Sequence, residues 1–241
     1  MTENNIYQVS TLQALVLGYT RSVITVDKLL ENGDTGLGTF EGVGGEMIVV
    51  NGHCYCAAND GTVTEAAPET GVPFAAVTKI KDGRKVSLED IPDIEKLKVR
   101  LDNAIEEDFG LNSMHIVKID GTFKKVSARS EAEYKAHHIS LKEILEKSQK
   151  DFFFNDVKGT LVCVYYPDYM DRINASGWHF HFVSEDRSCG GHVFDVCIEK
   201  SVALINKISR LNIQLPTEPV FDTYSLKQVS HDEIKAVEQG K

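Results

Sequence analysis

The chain has 241 residues, of which 42% are hydrophobic and 26% charged, as expected of a globular protein with a large core. Its formal net charge of −10 argues against nucleic acid as a partner, because neutralising phosphates requires a basic surface. No apolar run approaches the ~18 residues that span a bilayer, and residues 1–5 lack the features of a secretory signal. With five cysteines in no framework spacing, we expect a reduced protein in the cytoplasm and no membrane partner.

The first half of the chain begins with helical signals and continues with strands. Ser10-Thr11-Leu12-Gln13 is a capping-box sequence that predicts a short helix beginning at Ser10. A second helix is predicted over residues 26–31 and is ended by Asn32-Gly33. Asn51-Gly52 predicts a hairpin between strands 47–50 and 53–57, and a further strand is expected over 74–80.

The second half has two amphipathic helices between strands. Ile94, Leu97, Leu101 and Ile105 mark one face of the first helix. Asp120-Gly121 is a hairpin signal between apolar segments 116–119 and 122–126.

A second capping box, Ser140-Leu141-Lys142-Glu143, opens a helix to about residue 148. Strands 160–166, 178–183 and 193–198 follow, whereas periodicity does not decide between helix and strand for 201–210. Residues 232–237 are charged and helix-like.

This order of elements predicts an α+β fold with two β-rich domains, mixed sheets and flanking helices. The helix that opens at Ser140 separates the two blocks of strands. We therefore predict an N-terminal mixed-sheet domain over residues 1–150 and a C-terminal sheet domain over residues 151–241.

Three histidines within one short segment carry the strongest chemical signal. In an extended strand His179 and His181 project to one face, with Trp178, Phe180 and Phe182 on the other. The polar, glycine-ended loop over 184–191 can return the chain so that His192 enters from the adjacent strand. Three imidazoles that leave one coordination position for water are typical of a catalytic zinc site.

Other interpretations of these residues remain open at this point. A lone strand histidine is more often packed or hydrogen-bonded than a ligand. Glu185, four residues after His181, gives a pattern similar to the metal motif of cupin barrels, although His192 follows too soon for it. A structural zinc needs a fourth protein ligand, for which Cys189 and Asp186 are near enough in sequence. Cys54 and Cys56 alternate after a turn, which favours a packing role over a metal role.

The chain resembles the acetolactate decarboxylase family over almost its whole length. The resemblance is carried by segments 36–40, 44–48 and 158–161, and above all by Trp178-His179-Phe180-His181-Phe182 with Gly190-Gly191-His192. It implies one Zn²⁺ per chain on His179, His181 and His192, located between two domains. It further implies a homodimer.

The same resemblance implies the other site residues. Glu46, Arg129 and Glu238 are expected to be catalytic, and Arg129 and the more weakly matched Thr39 to bind substrate. Family members usually carry prolines after the matched arginine, and residues 130–138 contain none. Without the resemblance, Glu46 would be interpreted as an edge charge, Arg129 as a surface partner of Glu131 or Glu133, and Glu238 as part of an acidic tail.

The implied activity is that of a carboxy-lyase, converting the small molecule 2-acetolactate to acetoin and carbon dioxide in the pathway toward butanediol. Zinc would chelate the keto and hydroxyl oxygens and stabilise the enediolate. Arg129 would orient the substrate carboxylate. Glu46 and Glu238 would accept and donate the protons, in an order that the sequence does not assign, to give R-acetoin.

Overall fold

The computed structural model describes residues 4–80, 82–135 and 139–226. Glu238 and the helix-like segment 232–237 therefore lie outside the described residues. The strands, in chain order, are β1 (Asn5–Val9), β2 (Ile24–Thr25), β3 (Thr35–Thr39), β4 (Glu46–Val50), β5 (His53–Ala57), β6 (Val63–Glu65), β7 (Gly71–Val72), β8 (Phe74–Thr78), β9 (Arg84–Ile91), β10 (Met114–Ser130), β11 (Lys150–Tyr166), β12 (Gly177–Ser184), β13 (Gly190–Ile208) and β14 (Arg210–Gln214). The helices are α1 (Leu12–Val16), α2 (Val26–Asn32), α3 (Ile94–Glu106), α4 (Leu141–Ser148) and α5 (Pro219–Asp222).

The first sheet has seven strands in the order β14-β1-β8-β3-β4-β5-β6. β1 and β14 are parallel, whereas the other neighbours are antiparallel, so the sheet is mixed. The predicted hairpin joins β4 to β5, with Asn51 and Gly52 both at positive φ as its tight turn requires. A separate two-stranded ribbon pairs β2 with β7.

The second sheet contains β9 to β13, and its described pairings are all antiparallel. β10 pairs with both β11 and β13, and β12 pairs with both of those strands as well. The sheet therefore closes on itself, with β9 added beside the far end of β13. Residues 201–208 are part of β13, which settles the ambiguity between helix and strand in favour of strand.

The aromatic face of β12 points into this closed sheet. Trp178, Phe180 and Phe182 belong to one buried cluster with Leu97 and Leu101 of α3. The indole nitrogen of Trp178 also donates to the carboxylate of Asp102, at 2.7 Å. The predicted alternation along β12 is confirmed, because its aromatic residues fill the core and leave the histidines on the opposite face.

That opposite face packs against the first sheet. On β4, Glu46, Ile48 and Val50 alternate with Met47 and Val49. Ile48 and Val50 share a buried cluster with Val162 of β11 and Val183 of β12. Met47 and Val49 instead pack with Val26 and Leu29 of α2, on the outer side of the first sheet. Because Glu46 follows the parity of Ile48, it projects toward the second sheet.

Two local predictions are wrong. α1 begins at Leu12 with Thr11 as its N-cap, so its cap is one residue later than the predicted Ser10. Asp120-Gly121 is not a turn, because both residues lie within the continuous strand β10. A Cβ at Gly121 would lie 2.3 Å from that of Ser201, so the glycine is needed for close strand packing and not for a hairpin. The capping box at Ser140 is confirmed at the start of α4.

The α+β character of the prediction agrees with the two sheets and the few short helices. Of the two sheets, the first is mixed and the second antiparallel. A division at residue 150 does not coincide with the sheets, since β10 and β11 pair across it and β14 joins the first sheet. As a statement about independent folding units, the two predicted domains stay a prediction. Among the described residues, no helix is long and apolar enough to cross a membrane.

Candidate metal centre and active site

The three predicted histidines converge at the interface between the two sheets. His179 and His181 lie two residues apart on β12, and His192 of β13 is directly opposite His181 in the strand register. The Nε2 atom of His179 is 3.0 Å from Nε2 of His181 and 3.0 Å from Nδ1 of His192. All three residues are buried. The loop between β12 and β13 makes this possible by returning the chain, and it is closed by a hydrogen bond from the N–H of Ser184 to the carbonyl of Cys189, at 2.9 Å.

The spacing and the protonation state of these ring nitrogens suit coordination of a metal ion better than hydrogen bonds between the rings. Three ligands at the usual Zn–N distance in a tetrahedral site lie about 3.3 Å apart. Two of the separations here are 3.0 Å, and the three ligand atoms all lie within 4.8 Å of one another. Burial lowers the pKa of His179 to about 3, and the positive charge of Arg129 adds to the effect. Burial also lowers the pKa of His181 well below its usual range. Neutral imidazoles are the form that binds a metal, so the donor set suits a divalent cation.

The orientation of the His181 ring is fixed from the first sheet. Its Nδ1 donates to the main-chain carbonyl of Met47, at 2.8 Å. This hydrogen bond leaves the Nε2 lone pair directed into the cluster, as is usual for histidine ligands of metals.

The predicted acidic residue lies beside the cluster. Glu46 is buried, and its Oε2 atom is 3.3 Å from Nε2 of His181. Thr39 is directly opposite Glu46 in the β3–β4 register, and its hydroxyl donates to the carbonyl of Gly45 at 2.9 Å. The interpretation of Glu46 as a solvated edge charge is thus contradicted by its position.

Arg129 reaches the same place from the end of β10. It is directly opposite His192 in the strand register, and its Nη2 is 3.4 Å from Nε2 of that ring. A second guanidinium nitrogen donates to the side chain of Gln149, at 3.4 Å. Only 5% of Arg129 is exposed, so it is not a residue of a surface ion pair.

One cavity brings these residues together. Its polar wall is formed by the three histidines, Glu46, Thr39, Arg129 and Glu131, and its apolar wall by Leu15, Val43, Phe74, Leu141 and Leu145. A small, polar ligand with short alkyl groups suits such a lining. All the predicted site residues within the described chain therefore line one space.

Glu131 is a pocket residue that the sequence suggested only as a possible surface partner of Arg129. It lies two residues after Arg129 and is buried, with 1% of its surface exposed. The available signal was its spacing of two residues from Arg129, because side chains at that spacing project to one face in a strand. Glu131 itself follows the end of β10. Gln149, the partner of Arg129, gave no comparable signal.

The residues of the competing interpretations lie elsewhere. Within the described chain, the group able to hold a metal consists of the three histidines alone. The carboxylate of Asp186 accepts hydrogen bonds from Ser184 and Ser188 in its own loop. Glu185 lines a different cavity, with Lys158 and Arg187. Cys54 is buried in a hydrophobic cluster on β5, which confirms a packing role for it.

Comparison with known proteins gives the family. The family model described as alpha-acetolactate decarboxylase matches residues 6–228. The chain belongs to the alpha-acetolactate decarboxylase family. The family predicted from the sequence is confirmed, and so is the prediction of an enzyme of the carboxy-lyase class.

Individual relatives match over nearly the whole chain. An alpha-acetolactate decarboxylase of Methanosarcina mazei is 36% identical, over 97% of this chain and 80% of its own. One of Brevibacillus brevis is 33% identical, over 99% and 82%. The crystal structure of alpha-acetolactate decarboxylase from Bacillus subtilis has a TM-score of 0.92 at 30% identity, covering 97% of this chain and 99% of the other. The two-sheet architecture is therefore that of the family.

Proposed function

We propose that this enzyme decarboxylates 2-acetolactate to acetoin and carbon dioxide with one zinc ion bound by His179, His181 and His192. The observation that carries the proposal is the convergence of three buried imidazole nitrogens with Glu46 and Arg129 in one cavity. Its relatives are named for this substrate.

The chemistry requires a site for developing negative charge. Loss of carbon dioxide from a 2-hydroxy-3-keto acid leaves an enediolate. When bound by the three histidines, zinc would supply a Lewis acid that stabilises the charge developing on the former keto oxygen. The substrate carries its own carbonyl as electron sink, so the reaction needs no organic cofactor.

Arg129 is proposed to orient the substrate carboxylate. Its planar guanidinium can hold both carboxylate oxygens, and its contact with His192 places it beside the three nitrogens. Orientation of the breaking bond is the useful contribution, because tight binding of the carboxylate alone would stabilise the ground state. Thr39 is proposed to contact the substrate from β3.

Glu46 is proposed to move a proton. Its carboxylate lies 3.3 Å from a ring nitrogen of the cluster, within reach of a hydroxyl held there. Glu238 is proposed as the second proton carrier, and which of the two accepts and which donates is left open. The apolar wall around Leu15 and Leu141 would limit water and favour protonation of one face, giving R-acetoin.

The test is to incubate purified, zinc-loaded protein with racemic 2-acetolactate and to follow carbon dioxide release and acetoin chirality. We expect stoichiometric carbon dioxide and acetoin of one hand from a protein with one zinc per chain by elemental analysis. Fully loaded protein that releases no carbon dioxide above the spontaneous rate would overturn the proposal. The homodimer, the cytoplasmic location and the butanediol pathway stay predictions.

A further inference from the structure

Glu131 is a buried carboxylate in the pocket to which the proposed reaction assigns no role. It lines the same cavity as Glu46, Arg129 and the histidines. Removing a carboxylate from water is costly. A negative charge in this wall would alter the electrostatic potential that a charged ligand experiences in the pocket.

The position of Glu131 relative to Arg129 follows from the chain. Arg129 and Ser130 are the last two residues of β10 and Glu131 follows directly, so one residue separates Arg129 from Glu131 along the chain. Both line the cavity. Burial raises the pKa of Cys56 to about 12, and the negative charges of Glu46, Glu131 and Asp60 add to that shift.

Glu131 is held in place on both sides. The hydroxyl of Ser130 donates to the carbonyl of Ala57, at 2.7 Å. The main-chain N–H of Tyr134 donates to the carbonyl of Gly42, at 2.8 Å. Both contacts join this segment to the first sheet and its connections, so the main chain on either side of Glu131 is fixed beside the pocket.

We propose that Glu131 is a positioning residue that offsets the positive charge of Arg129 and so limits how strongly the pocket binds the substrate carboxylate. This inference rests on the proposed function. The carboxylate leaves as neutral carbon dioxide, and its charge moves to the keto oxygen. Attraction to Arg129 and to the cation site would hold the carboxylate in the ground state, and a nearby negative charge weakens that attraction where it slows the reaction.

The test compares two unreactive ligands that differ mainly in charge. 2-Hydroxyisobutyrate carries the carboxylate, and 2-hydroxyisobutyramide has a similar shape without it. In zinc-loaded Glu131→Gln we expect 2-hydroxyisobutyrate to bind about tenfold more tightly than in the unmodified protein, by calorimetry, with little change for the amide. The variant should also lower both KM and kcat for 2-acetolactate.

Two variants serve as controls. Glu133→Gln removes a charge from the same segment, but the Glu133 side chain is 53% exposed, so neither ligand should respond. Glu131→Asp retains the charge and should bind 2-hydroxyisobutyrate as the unmodified protein does. If Glu131→Gln does not fold, Glu131→Leu carries the same expectation.

Equal changes for both ligands, or no change for either, would overturn the inference. These outcomes are separate from a failure of the proposed function. Loaded, unmodified protein that does not decarboxylate 2-acetolactate would refute the reaction, whereas the ligand comparison tests only the charge balance around Arg129.

Discussion

The Nδ1 nitrogen of His181 lies 2.8 Å from the main-chain carbonyl of Met47, so the two sheets are hydrogen-bonded to each other at the histidine cluster itself. Met47 follows Glu46 on β4, so the contact that orients one ring also sets the position of the carboxylate beside it. Metal geometry and the packing of the sheets are therefore coupled at one point.

Removal of a histidine ligand should remove the metal. With His179→Ala or His192→Ala, two nitrogens remain, and we expect zinc content to fall from one per chain to near zero after dialysis, by elemental analysis. His53→Ala is the matched control, because His53 is exposed and pairs with Glu65 at the edge of the first sheet. Full decarboxylase activity in a metal-free His179→Ala protein would refute the metal role.

Glu46→Gln should separate metal binding from turnover. The amide of glutamine has nearly the same shape as the carboxylate of Glu46, and residue 46 is not one of the three grouped histidine ligands. Zinc content should therefore be retained. Loss of a proton-transfer group costs about 10²- to 10⁴-fold in rate, and we expect kcat to fall within that range. Unchanged kcat, measured on protein with one zinc per chain, would show that Glu46 carries no proton.

Arg129→Lys tests the geometry of carboxylate binding. Lysine keeps the charge but lacks the planar pair of donors, so we expect kcat/KM for 2-acetolactate to fall at least tenfold while zinc content stays unchanged. The measurement is steady-state kinetics alongside elemental analysis. If the lysine variant matches the unmodified enzyme, Arg129 acts only through its charge.

The metal ligands could be predicted from sequence because their geometry is local. Strand alternation brings His179 and His181 to one face, and a short loop brings His192 opposite His181. The surroundings of the cluster depend on pairing between distant segments. Burial of Arg129 and Glu131 requires β10 to lie against β13 and the first sheet, which no local pattern specifies.

The difference between local patterns and long-range strand pairing also explains why one of two Asx-Gly pairs was predicted correctly as a turn and the other was not. Asn51-Gly52 is a hairpin turn, as predicted, and Asp120-Gly121 lies inside a strand. Gly159 is directly opposite Gly121 in the β10–β11 register, and a Cβ on Gly159 would lie 2.5 Å from the ring of Phe182. Both glycines allow close packing in the second sheet. The sequence does not show that a side chain is excluded at these positions, because the neighbouring strands come from distant segments.

Gly121→Ala should therefore destabilise the protein. Its new methyl group would lie 2.3 Å from the Cβ of Ser201 and 2.4 Å from the carbonyl of Lys200. We expect a loss of about 2 kcal/mol or more in the free energy of unfolding, from urea denaturation. Gly110→Ala is the control, since no atom lies within 4 Å of its Cβ position and its φ of +79° should cost only about 1 kcal/mol. Equal losses in the two variants would contradict the packing explanation.

His115 should contribute to acid sensitivity away from the active site. Burial lowers its pKa to about 4, and its Nδ1 donates to the carbonyl of Ser113 at 2.9 Å. The unfolded chain, with a histidine pKa near 6.5, then binds more protons than the folded one between about pH 6.5 and pH 4. The stability that the neutral form of His115 contributes is thus complete above pH 6.5 and is lost as the pH falls toward 4.

In metal-free protein, His115→Phe should reduce the difference in unfolding free energy between pH 7 and pH 4.5 by about 2 kcal/mol, measured by urea denaturation. An unchanged difference between pH 7 and pH 4.5 in His115→Phe would contradict the role of burial.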